Sequence, residues 1–539
     1  MSTPGLRAAR GCVLAVLAMA LAAPAARSAP AGERPDLDRV FQYKVAVKID
    51  ADKTVTAELW VPPQADRIRG AVVGGMREAG SDPSIRRACR QEKIAIAIVP
   101  LDKTLPAVMA ELGRASGHPE LAVAPWFGWG HSAGTVTASY FVAENPARCF
   151  GAILLKGGLC PPPGRTDAPF VGVPILQVKG QFEEFGPGPS GVLRDFEDTS
   201  TGWQTARDEM VKLRQADERH LVSLAIVPGE THMVWTPADG AYAAQFLAKA
   251  AQRRIPDWPV DAKEPVQCVA IDPRSGGLSS SRLGEDNQPA PASWADYTGD
   301  RKQALWHFDA ELAKANDAVH AALLKRKPQF LSFADAQGRG LPLAHDMRLR
   351  LPKPQFVGPD VVKLSAAFLD APPKKYPPAT GPVGHADGPI LFRVYGPLEQ
   401  VGPDTFRVAG AGAKLAAGIL AYHPGDGVYR YAEQLGRLDL PRLEKGAPQT
   451  IAFALAENVA RSAFPLKLEA TSDRGLPVRF IVRSGAAIVR DGKLELADVP
   501  HRAAWPLAIE VMAYQYGSAV EPLVQSAEPV RRTVLVTQQ

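Results

Sequence analysis

The stretch "WFGWGHSAGTVTASYFVAENP", Trp126 to Pro146, passes from an apolar run through a small-residue turn into a helical pattern without a spacer. The run up to Gly130 reads as a buried strand, and "TVTASYFVAENP" reads as a helix that Pro146 follows. Between them stands Ser132, flanked by Gly130 and Gly134. Three fixed residues of common type recur by chance in roughly one of several chains of this length, so the G-x-S-x-G spacing alone decides little. The strand-turn-helix context decides more. A serine in so tight a turn needs glycines beside it, and the N-terminus of the next helix favours negative charge developing there.

Working outward, "GAVVGG" (70–75), "IAIAIVP" (94–100), "GAILLKG" (151–157), "VPILQVKG" (173–180) and "LVSLAIVPG" (221–229) are further short apolar runs. Most are separated by amphipathic stretches such as "LPAVMAELGRA" and "WQTARDEMVKLRQ". Apolar runs alternating with helices predict a mainly parallel sheet covered on both faces. Ahead of it, "FQYKVAVKIDADKTVTAELWVP" (41–62) alternates around a turn at 50–53, the pattern of an antiparallel hairpin.

A nucleophilic serine needs a base to take its proton and an acid to orient that base. In chain order after Ser132, His232 in "VPGETHMVW" follows the last apolar run. Glu183 stands just beyond Gly180, with Glu184, Asp195 and Asp198 as rivals in the same connection. The oxyanion donors expected are the N–H groups of Ala133 and Met76, with Gly75 open for the second. Trp235 and Glu184 are candidate substrate contacts, and no metal or cofactor is called for. His131 is expected to pack or hydrogen-bond rather than act as a second base, Trp126 and Trp129 are expected in the core, and His307 on the packing face of a helix.

On these residues, 41 to about 250 resembles the α/β-hydrolases, in the broad sense that takes in carboxylesterases, acetyl xylan esterases, feruloyl esterases and polyester depolymerases. The resemblance implies metal-free cleavage of an ester through Ser132, His232 and Glu183. Only "GLCPPPGRTDAPFVG" separates the runs at 151 and 173, too short for a large lid, so an open cleft is expected. The "HGGG" form of the oxyanion loop is absent.

The rest of the chain bounds the setting. Arg7 and Arg10 precede "CVLAVLAMALAA", and small-residue cleavage sites follow, so residues 1–31 read as a signal peptide and the protein as exported, periplasmic or secreted. No later run is long enough to insert stably in a membrane. A net charge of +5, dispersed along 539 residues, points away from nucleic acid. Four cysteines remain beyond the leader, compatible with disulfides, though Cys149 with Cys160 is disfavoured by the strand between them. The predicted domains are an α/β-hydrolase domain at 33–255, a linker with a helix at 256–345 (the helix over 300–326), a β-rich domain at 346–445 and a β-sandwich at 446–539. The last resembles bacterial immunoglobulin-like modules in its "ATS…GLPV" opening.

The function these readings favour is an exported serine esterase acting on a polysaccharide-linked, phenolic or small ester. The alternatives are a prolyl-oligopeptidase-like serine peptidase and a non-catalytic glycan-binding protein. Appended β-domains often hold a polymer or act as spacers, an inference from analogy.

Overall fold

The structure, a computed structural model, describes residues 40–160, 170–181, 203–283, 285–321, 326–343, 349–371, 383–412 and 414–539. The expected signal peptide lies outside them. An eight-stranded sheet is made by β1 (Tyr43–Lys48), β2 (Thr54–Trp60), β3 (Gly70–Gly74), β4 (Ile94–Ile98), β5 (Trp126–His131), β6 (Cys149–Leu155), β7 (Ile175–Gly180) and β8 (Val222–Val227). Their spatial order is β1-β2-β4-β3-β5-β6-β7-β8. β2 runs antiparallel to β1 and β4, and every other pairing is parallel. This is the arrangement of the α/β-hydrolase sheet.

Alternation along the strands explains how both faces are filled. In β4, Ile94 and Ile96 enter one core while Ala95 and Ala97 enter the other. Burying each isoleucine stabilises the fold by about 1.5–3 kcal/mol. The helices are α1 (Arg77–Gly80), α2 (Pro83–Glu92), α3 (Leu105–Ser116), α4 (Gly134–Glu144), α5 (Trp203–Ala216) and α6 (Pro237–Arg254). Asp82 caps α2 by accepting from the N–H groups of Ser84 and Ile85, and Pro83 occupies the position where a missing N–H costs nothing. Thr236 and Asp239 form a reciprocal capping box that fixes where α6 begins, immediately after the loop bearing His232.

After α6 the structure departs from the expected helix at 300–326. Leu305–His307 (β11) instead pairs with Gly277–Ser279 (β9), which also pairs with Ala292–Ser293 (β10). The helix α7 spans only Ala310–His320, because the Asp309 carboxylate accepts from the Leu312 N–H and starts it there. His307 is therefore a strand residue, fully buried, hydrogen-bonded to Ser279 Oγ at 2.8 Å and Tyr242 Oη at 3.3 Å. Burial pushes its pKa down to about 3, and His320 and Arg214 push the same way, so it is neutral. Leu278, Trp306 and Phe308 join the core that α2 and α6 cover. The four cysteines are all free thiols.

The remainder is a series of small, mainly antiparallel sheets. One of three strands, Leu391–Tyr395, Leu415–His423 and Ala432–Leu440, matters for the site. Another, of four strands, contains Leu507–Tyr514 and Val530–Thr537. Asp498 and His501 tie this terminal region to the end of β2 and the loop after it: Trp60 Nε1 donates to Asp498 at 3.1 Å, and His501 Nδ1 lies 2.8 Å from Asp66. Among the described residues no helix is long and apolar enough to cross a membrane.

Candidate active site

Ser132 sits between β5 and α4 with φ of 54°, in the left-handed region that side chains other than glycine seldom adopt. Its neighbours enforce that strain. Its N–H donates to the Leu155 carbonyl at 3.0 Å, and its own carbonyl accepts from Thr135 Oγ1 at 2.7 Å. A side chain at Gly130 would collide with the Gly134 carbonyl, and one at Gly157 with Thr135 and the Ser132 carbonyl. Gly134, by contrast, faces open space. The steric need for glycine thus holds before the serine and just past the end of β6, but not at the second glycine of G-x-S-x-G.

His232 Nε2 lies 2.7 Å from Ser132 Oγ across a hundred residues of sequence. The loop that carries it is held from three sides. His131 Nε2 donates to the His232 carbonyl at 2.8 Å, with the two rings 5.3 Å apart. Because a carbonyl can only accept, that contact fixes the proton of His131 on Nε2. Thr231, just before the histidine, gives both its N–H and its hydroxyl to Glu433 Oε1, each at 2.7 Å. Glu433 belongs to the strand Ala432–Leu440, and its other oxygen accepts from Tyr431 at 2.6 Å.

Below the loop lies Lys156, also at a positive φ of 49° and fully buried. Its Nζ donates to Glu230 at 2.9 Å and to the Val234 carbonyl at 2.7 Å, and stands 3.9 Å from Asp239. Thr236 donates to the other oxygen of Glu230. Burial would push the ammonium toward neutrality, but Asp239, Glu230 and Glu433 outweigh it and hold the proton on. The carboxyls respond the other way. Burial, with Glu230 adding to it, raises Asp239 well above the carboxylate range and Glu433 to about 7, against the pull of Lys156. Thr231, Val234 and Thr236 of the histidine loop are each hydrogen-bonded to a member of this cluster.

A cleft of about 690 Å³ opens beside the serine. Gly130, His131 and Gly134 from the turn and Met233 to Trp235 from the histidine loop line it. Ser132 and His232 are not among its lining residues; their chain neighbours are. Met76 also lines it, while Ala133 is exposed on the turn. Among the described residues neither N–H group donates to another group. Trp235 lines the cleft with one edge, but its indole N–H is committed to Asp82 at 3.0 Å. Trp126 and Trp129 are buried core residues. Glu183 and Glu184, with Asp195 and Asp198, lie outside the described residues.

The far wall of the cleft was not anticipated. Tyr395, Gly396, Gly418 and Leu435, on or beside the three-stranded sheet, also line the cleft, whereas most of the connection after β6, on which the expectation of an open cleft rested, lies outside the described residues. Lys156, Glu230, Asp239 and Glu433 were also missed. "GAILLKG" and "VPGETHMVW" contain two of them, and a lysine closing a buried strand is the one local signal that could have been read.

No protein-family model matches the chain, and no curated protein does. Among solved structures it is similar to a cold-adapted esterase from an Arctic intertidal metagenomic library (18% identity, covering 39% of this chain and 92% of that one, TM-score 0.26). A carboxyl esterase from Bacillus coagulans gives 14%, 39%, 99% and 0.27. A puromycin-hydrolyzing peptidase of Mycobacterium tuberculosis gives 11%, 42%, 41% and 0.28. With scores this low, the fold assignment stands on the strand order and on the strained turn at Ser132.

Proposed function

We propose that the protein is a metal-free serine hydrolase that cleaves carboxylic esters. The observation that carries this reading is the 2.7 Å contact of His232 Nε2 with Ser132 Oγ at a strained strand-to-helix turn. His232 takes the Ser132 proton as Oγ attacks the ester carbonyl, giving a tetrahedral oxyanion. The N–H groups of Ala133 and Met76 are assigned to that oxyanion, helped by the N-terminus of α4. The same imidazole then returns the proton to the departing alcohol, leaving an acyl-serine. Water, deprotonated by His232, releases the acid and restores the serine. Glu183 is our choice for the acid that orients His232.

The leader pattern at 1–31 supports export, and 446–539 is proposed as an immunoglobulin-like sandwich on the strength of its alternating strands and shared apolar core. Fluorophosphonate labelling read by intact mass tests the activity: one adduct on the purified protein, absent in Ser132→Ala, is expected. A well-folded wild type that takes no adduct refutes the assignment.

A further inference from the structure

We infer that the three-stranded sheet at 391–440 forms one wall of the substrate site, and that the site takes esters with a medium-length apolar or aryl acyl group. This rests on the ester-hydrolase reading and deepens it. The sheet is joined to the catalytic loop at its face: Leu420 and Leu435, paired across adjacent strands, pack against Val234, and Tyr395 Oη donates to the Trp235 carbonyl at 3.3 Å. The cleft is thus lined by both regions, Tyr395, Gly418 and Leu435 from the sheet together with Met76, Val99 and Leu101 from the α/β part.

The size and lining select the ligand. An acetyl group would leave most of about 690 Å³ to water beside apolar walls, whereas a medium acyl chain or an aromatic ring displaces that water. Gly418 is the position on this sheet where a side chain can be added to the lining. It pairs with Tyr395 on one side and Arg437 on the other, and a Cβ there would meet Tyr395 at 3.4 Å and Leu435 at 3.7 Å, ordinary contact distances. A side chain at 418 is therefore accommodated by the sheet and projects at the expense of the cleft.

The test is kcat/KM for p-nitrophenyl esters from acetate to dodecanoate, with wild type, Gly418→Leu and Leu435→Ala. Wild type is expected to prefer octanoate to acetate. Gly418→Leu is expected to lower the octanoate-to-acetate ratio at least about tenfold, the effect of a few misfitted methylenes in an apolar pocket, and to shorten the preferred chain. Leu435→Ala is expected to lengthen it. A wild type that prefers acetate, or labelled variants whose ratios stay within about twofold of wild type, overturns the inference while leaving the hydrolase standing. Absence of both fluorophosphonate adduct and ester cleavage in wild type overturns the hydrolase reading and this inference with it.

Discussion

Lys156→Met removes the Lys156 cation from beside the buried acids while nearly conserving the side-chain volume. Two hydrogen bonds go with it, to Glu230 and to the Val234 carbonyl, and Glu230 is left inside the protein between Thr236 and the like-charged Asp239. Breaking a buried ion pair from one side costs about 3–5 kcal/mol, because the surviving charge has neither water nor counter-ion. Lys156 pulls the Asp239 carboxyl down against burial and Glu230, so without it that acid holds its proton harder and the loss is expected to be larger at pH 8 than at pH 5.5. Urea unfolding followed by tryptophan fluorescence at the two pH values measures it. A loss under about 1 kcal/mol, or one equal at both pH values, would refute the electrostatic reasoning and leave only a packing defect. Because Lys156 also holds the residue two places after His232, the fluorophosphonate labelling rate is expected to fall in the same variant.

Glu433 gives a pH dependence of known sign. Its folded-state pKa is raised to about 7 from 4.5, so between those values the folded chain holds a proton the unfolded chain releases, and stability falls as pH rises through that window. Glu433→Gln is expected to remove that pH-dependent loss; parallel stability-pH curves for the two proteins would contradict this. Glu433→Ala, which orphans the Thr231 N–H and the Tyr431 hydroxyl, is expected to cost about 2–5 kcal/mol by the same measurement and to slow labelling of Ser132, with Glu433→Gln retaining most of the rate. Gly130→Ala drives a Cβ into the Gly134 carbonyl and is expected to abolish labelling or soluble expression. The pH-rate profile for ester cleavage is expected to have an acidic limb, since a protonated His232 cannot accept the serine proton; a flat profile from about pH 4 to 9 with chemistry rate-limiting would remove the histidine from the mechanism.

The parts of this architecture that were readable share one property: their signals are local. Each strand of the parallel sheet is a short apolar run, and the turn at Ser132 is written in adjacent residues. The failures have physical causes too. "ALWHFDAELAKANDAVH" carries helical spacing throughout, but Leu305 to His307 gains more by pairing with Gly277–Ser279 and burying Trp306 than by extending α7, a tertiary override of local preference. Glu433 was invisible because its partner Thr231 is 202 residues earlier, and nothing in the spacing of either residue encodes the meeting. The same holds for Gly418 and Leu435, which look like ordinary strand residues until the sheet is laid against Val234.

The separation of Thr231 from Glu433 also sets an order of events during synthesis. A ribosome adding about 5–20 residues per second delivers Glu433 about 10–40 s after Thr231. For that interval the emerging chain already possesses Ser132 and His232, yet the histidine loop lacks its last two anchoring bonds and the cleft has only one side. On the proposed hydrolase reading, full activity is therefore expected only once the chain has passed residue 440. Ribosome-stalled chains halted before residue 391 are expected to take up fluorophosphonate more slowly than chains halted beyond residue 440 by a spacer, and equal uptake would show that the catalytic loop settles without its distant strand.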